Sequence, residues 1–189
     1  MGGYFSLVYA IAHPERVSRL VLIGEPAGSA PHVRWRNRLI GTRIINSALF
    51  DTVLKPGPGT THDGFAKMLV ADVSRVPPDY MDCMTAGSMI PGAAESWITL
   101  NESVYKTAGA GLFAGDPGLS YALRPELHNL AAPTLLLWGE KDTFGPPSLG
   151  QEMARLMPNG RCEVIPDAGH IAWVDQLDLC AEKTSAFLA

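Results

Sequence analysis

The sequence predicts an α/β fold built on a parallel sheet, and three observations carry that expectation. Short apolar runs recur, each stopped by Gly or Pro: LVLI at 20–23 before Gly24, TLLLW at 134–138 before Gly139, and RCEVI at 161–165 before Pro166. Stretches with helical spacing alternate with them, the order expected of strands joined by helical crossovers. An acid, Asp142, follows the second run and an imidazole, His170, follows the third. Parallel strands would deliver both groups to one edge of the sheet, where loops on a rigid scaffold are free to carry chemistry.

Each element has a local reason. Residues 3–13 place Tyr4, Leu7, Val8, Ile11 and Ala12 on one helical face, with Pro14 just past the end. After the short connection HPERV, residues 20–23 read as a buried strand. Residues 134–138, introduced by Pro133, are too short for a typical helix and read as a strand buried on both faces. FGPPS then opens a helix over about 147–157, strand 161–165 follows, and a last helix over about 172–188 carries Trp173, Val174, Leu177, Ala181, Phe187 and Leu188 as an apolar stripe.

The interval between the first two strands breaks the alternation. It reads as helices near 33–50, 62–75, 78–90 and 95–107, separated by KPGPG and by Pro91-Gly92. One crossover needs a single helix, so about a hundred residues imply an inserted helical subdomain. The expected organisation is a core over 1–28, a helical cap over 29–130 and a second core segment over 131–189. GAGLFAGDPG at 109–118 would be the hinge by which the insertion returns. The insertion's Trp35, Phe65, Met68, Tyr80, Met84, Met89 and Trp97 would line an apolar pocket or form the insertion's own core.

Bulk properties exclude several functions. The 189 residues are 47% hydrophobic and 18% charged, with a formal net charge of −4 and scattered Lys and Arg, so a nucleic-acid partner is not expected. Cys83, Cys162 and Cys180 show no metal-ligand spacing, and so low a count fits a reducing, cytoplasmic setting. His13, His32, His62 and His128 are unpaired in spacing, so no metal is expected. MGGYFS and YFSLVYAIA imitate a myristoylation site and a signal-peptide core, but folded structure accounts for the same letters. No apolar run is long enough to span a membrane.

Read without further context, Asp142 is a turn or helix-start carboxylate or the partner of His170, and Glu25, just past the first strand and beside Pro26, reads as a turn residue. Glu140, Asp167 and Asp175 read as solvated charges. Ser6 lies within a helix and is not placed as a nucleophile.

Three motifs together resemble the α/β-hydrolase superfamily. MGGYFSLVYAIAHPERVSRLVLIGEPAG is similar to the helix, turn and strand that follow the family's nucleophile elbow; PTLLLWGEKD to its acid loop; and DAGHIAWVDQ to its histidine loop, in the family's order of nucleophile, acid, histidine. The resemblance implies that His170 is the general base, that Asp142 fixes its tautomer, with Glu25 the alternative acid, and that the backbone N–H of Met1 belongs to the oxyanion hole. In the common elbow, S-M-G-G, the nucleophile immediately precedes Met, so the 189 residues are expected to lack it and to represent a carboxyl-terminal fragment.

The resemblance further implies hydrolysis of a small apolar substrate without cofactors, ester hydrolysis by default, with epoxide, haloalkane or carbon–carbon bond hydrolysis open. A fragment without nucleophile should be nearly inactive alone. The alternative is a non-catalytic protein that self-associates through the unpaired edge of strand 20–23.

Overall fold

The computed structural model describes residues 2–26, 28–30, 39, 41–54, 62–77, 79–104 and 123–189. They fall into two compact units: Met1–Ala30, Lys67–Val76 and Leu123–Ala189 form the first, Pro31–Ala66 and Pro77–Ala122 the second. Residues 67–76 thus belong with the core, although they lie inside the stretch expected to be inserted.

The first unit is organised by a parallel sheet in the order β1 (Leu20–Ile23), β2 (Thr134–Gly139), β3 (Gly160–Ile165). Leu22 faces Leu136 across the first pair, and Leu136 faces Cys162 across the second. Every residue of β2 is buried. Side chains alternate between faces along a strand. Leu136 and Trp138 therefore join one cluster, with Leu7 and Ala10 of α1 (Gly2–Ala12) and Leu149 and Met153 of α6 (Pro147–Leu156). Leu135 and Leu137 join another, with Ile165, Ala168, Ala172 and Cys180. Helices cover both faces, which is why the run TLLLW shows no polar alternation. Each such leucine stabilises by about 1.5–3 kcal/mol.

The outer strands are less buried than their letters suggest. In β1 only Leu22 is buried, because β1 ends the sheet order. In β3 only Ile165 is buried; Glu163 instead meets Lys183 at 2.8 Å, as suits an edge strand. Helix α1 ends where His13 N–H donates to the Tyr9 carbonyl just ahead of Pro14. It buries Leu7 and Ala10, while Val8, expected inward, is exposed together with Phe5 and Tyr9.

The last helix is two: α7 (Ala172–Asp175) and α8 (Leu177–Leu188), broken by the non-helical Gln176 at φ −139°, ψ 63°. Trp173, Leu177, Ala181 and Leu188 of the expected stripe are exposed, against expectation. A 3₁₀ turn at Arg124–Asn129, absent from the sequence reading, buries Leu127.

The second unit contains α2 (Arg43–Leu49), α4 (Tyr80–Ala86) and α5 (Ala93–Val104); the helix α3 (His62–Leu69) runs from it into the first unit's segment. Helix α3 stops at Leu69, short of the expected 75, and Asp72 then caps a separate turn by accepting from Ser74 N–H at 3.0 Å. Inside the second unit, Trp97 Nε1–H donates to Asn46 Oδ1 at 2.7 Å, and the Arg43 guanidinium grips Glu95 at 2.8 and 3.0 Å and Glu102 at 3.3 Å. Trp97 thus serves the unit's own packing, whereas Met89 is exposed. Trp35, the first part of the helix expected at 33–50 and the hinge at 109–118 lie outside the described residues.

Candidate functional site

The carboxyl ends of β2 and β3 build the candidate site. Beyond Gly139 the chain turns, Asp142 N–H donating to the Gly139 carbonyl at 3.2 Å. The acid loop and the histidine loop are then tied directly: Glu140 N–H donates to Ile165 O at 2.9 Å, and Lys141 N–H to Ala168 O at 2.8 Å. Outside these bonds, the Lys141 ammonium and the Asp167 carboxylate meet at 2.7 Å. That hydrogen bond holds the Asp167 carboxyl below the ordinary carboxylate range.

Asp142 has a fully buried side chain, and His170 keeps 26% of its own exposed. Asp142 Oδ1 accepts from Phe144 N–H at 2.9 Å, an Asx-type turn that fixes the carboxylate plane. Its Oδ2 accepts from Glu25 N–H at 3.3 Å and lies 3.0 Å from His170 Nδ1. A carboxylate only accepts, so Nδ1 is the donor in this contact and Nε2 is the ring nitrogen left outside it. Among the described residues this is the one side-chain hydrogen bond of the imidazole, whose ring also packs against Phe144, centroids 4.4 Å apart.

Gly24, at the end of β1, closes the site from the other side. Its φ of +81° is the left-handed region, and a Cβ there would collide with the His170 carbonyl oxygen. A glycine is required for both reasons.

The sequence-predicted residues fare differently. Asp142 and His170 are brought together. Glu25 contributes a backbone N–H to Asp142, while its carboxylate accepts from Ser29 Oγ at 2.8 Å. Met1 lies outside the described residues. Ser6 Oγ donates within its own helix, to Gly2 O at 3.0 Å. Asp175 corrects the sequence reading: it is not a solvated charge but 6% exposed, bonded to three backbone N–H groups. Two of those donors stand about a hundred residues away and offer only backbone, so no pattern of letters marks them.

Among the described residues, no His, Cys, Asp and Glu cluster could hold a metal ion, and no helix is long and apolar enough to cross a membrane.

A parallel sheet with an acid after one strand and its histidine partner after the next defines a class of fold. The family model for the alpha/beta hydrolase fold matches residues 1–176, and the chain belongs to that family. Among curated relatives, it is 25% identical to a 2-hydroxy-6-oxononadienedioate/2-hydroxy-6-oxononatrienedioate hydrolase of Paraburkholderia xenovorans, over the whole of this chain and 60% of that one. It is likewise 25% identical to a 2-hydroxy-6-oxo-6-phenylhexa-2,4-dienoate hydrolase of Burkholderia cepacia, with the same coverage. The chain thus spans about 60% of the length of these relatives. Carboxylesterase CesB (YbfK) from Bacillus subtilis shares the fold at a TM-score of 0.69 and 19% identity, over all of this chain and 57% of the other.

Proposed function

We propose that this chain supplies the acid and base of a hydrolase that works by a Ser-Asp-His mechanism on a small, largely apolar substrate. The observation that supports it is the 3.0 Å pair of Asp142 and His170 at the carboxyl edge of the sheet. In this reading Nε2 of His170 takes the proton of a serine hydroxyl as its oxygen attacks the substrate carbonyl carbon. The imidazolium, stabilised by Asp142, returns that proton to the departing alkoxide, and the alcohol leaves. A water, deprotonated by the same nitrogen, then attacks the acyl-enzyme; the serine oxygen leaves, recovers the proton, and the acid product is released.

The nucleophile in this reading stands outside the 189 residues, directly before Met1, and the N–H of residue 1 completes the oxyanion hole. In this reading the second unit corresponds to the inserted helical cap. Groups of this kind need no metal or organic cofactor. Ester hydrolysis is the default reaction; the names of the relatives make hydrolysis of a 2-hydroxy-6-oxo dienoate its nearest competitor.

The test compares residues 1–189 with a protein extended upstream through the elbow, each wild type and His170→Ala. Chromogenic acyl esters and 2-hydroxy-6-oxo dienoates serve as substrates. The extended protein should turn one of them over and lose at least 10²-fold in kcat with His170→Ala, the lower end for general acid–base catalysis. The 189 residues alone should show no His170-dependent turnover. Turnover by the short chain that disappears in His170→Ala would contradict the placement of the nucleophile.

A second reading is favoured by one observation. Strand β1 pairs with β2 on one side and ends the described sheet on the other, and α1 beside it exposes Phe5 at 60% and Tyr9 at 46%. An open strand edge invites another strand, so this surface would pair with a second copy. Sedimentation decides: a dimer at micromolar concentration is expected on this reading, and a monomer removes it.

A further inference from the structure

The molecule contains a second buried carboxylate that the acid–base chemistry does not use. Asp175 closes α7, and its side chain folds back over the histidine loop. Oδ2 accepts from Gly169 N–H and from Ala71 N–H, each at 2.8 Å, and Oδ1 accepts from Asp72 N–H at 3.0 Å. Its own carbonyl accepts from the Arg75 guanidinium at 2.7 Å. Immediately after His170 in the chain, Ile171 N–H donates to the Leu69 carbonyl at 2.8 Å. The residues before and after His170 are thus each bonded, one through Asp175 and one directly, to the stretch 69–72.

The packing agrees with the bonding. A Cβ at Gly169 would lie 2.7–2.8 Å from Val70 C, Ala71 N and Leu69 O, so only glycine lets this backbone approach so closely. The acid loop reaches the same stretch, Thr143 Oγ donating to Met68 O at 2.7 Å. Three converging N–H groups require an acceptor with lone pairs on both oxygens. A carboxylate offers that, whereas an amide would turn its NH₂ against at least one donor.

We propose that Asp175 is a positioning residue for His170: it clamps the backbone of the histidine loop onto residues 69–72, while Asp142 fixes the ring. Two anchors, one on the main chain and one on Nδ1, then set the direction of Nε2. The proposal rests on the acid–base reading of His170. It also makes the base depend on residues 67–76, a piece of chain that lies in sequence between the two stretches of the second unit.

The experiment is hydrogen exchange by NMR on the 189-residue chain, following the His170 Nδ1 proton, the amides of Gly169, Ala71 and Asp72, and the Leu136 amide of β2 as reference. In Asp175→Asn, exchange of the Nδ1 proton and of the three clamp amides should rise at least tenfold, with Leu136 unchanged. An unchanged Nδ1 proton, or a uniform loss of protection that includes Leu136, would overturn the positioning role. Should the Asn variant not fold, Arg75→Ala, which removes the bond to the Asp175 carbonyl and the 3.4 Å ion pair with Asp72 while leaving the Asp175 carboxylate in place, is read in the same way. There a rise of at least twofold at Ala71 and Nδ1 is expected, and no change overturns the proposal. In an upstream-extended, active protein, Asp175→Asn should lower kcat at least tenfold with KM within twofold. If His170→Ala leaves that activity intact, the acid–base reading fails while the exchange data still judge the clamp.

Discussion

The two sides of the central strand differ in how their surroundings are completed. On the β3 side, backbone hydrogen bonds from 140 and 141 join the acid loop to the histidine loop, Gly169 N–H and Ile171 N–H tie the histidine loop to the Asp175 carboxylate and the Leu69 carbonyl, and Asp142 and Asp175 are buried. On the β1 side, a short strand ends the sheet and α1 turns Phe5, Val8 and Tyr9 to solvent. Asp142 and His170 lie on the finished side. The lesson is that the Asp142–His170 geometry is held mainly by the loops after β2 and β3, with Glu25 N–H and Gly24 adding contacts from the β1 side, while α1 presents an apolar surface to solvent.

The comparison can be broken or sharpened by substitution. The largest effect is expected for Asp142→Asn in an active, upstream-extended protein. The amide would reverse the donor on Nδ1 and strand the wrong tautomer, so kcat should fall by about 10⁴ at unchanged fold, read by steady-state kinetics and circular dichroism. A fall below tenfold would mean that another carboxylate, Glu25 foremost, does the work.

Next comes the packing of the finished side. Trp138 is fully buried, its Nε1–H donating to Gly145 O at 2.9 Å and its ring lying against Gly150. Trp138→Ala should cost about 3–5 kcal/mol in urea unfolding. Gly24→Ala, on the border between the two sides, forces a Cβ into a left-handed backbone and into the His170 carbonyl; a loss of about 1–3 kcal/mol is expected. The smallest effect belongs to the open side. Phe5→Ser should change unfolding free energy by no more than about 0.5 kcal/mol while weakening any self-association seen by sedimentation. A larger cost would show that the α1 surface is covered in the protein in solution.

How much of this was legible depends on whether the cause is local. The strand β2 was, because burial on both faces leaves an uninterrupted apolar run closed by Gly139. The pairing of Asp142 with His170 was approachable, since each follows a strand of one parallel sheet and lands at the same edge. The burial of β1 was overestimated, because its four apolar letters do not say how many strands flank it. The break at Gln176 was missed, since helical spacing continues across it while the backbone does not. Asp175 was misread for a deeper reason: its partners are main-chain N–H groups, which every residue but proline carries, so nothing in the letters at 71, 72 or 169 announces an acceptor.

The central claim is that the His170 imidazole, oriented by Asp142, activates a serine at the elbow. Labelling an upstream-extended protein with a fluorophosphonate, with the adduct located by mass spectrometry, tests it most directly. The account predicts an adduct on the serine preceding Met1, formed at least 10²-fold more slowly in His170→Ala. Labelling at the same rate with and without His170, or at a site away from the elbow, would contradict it.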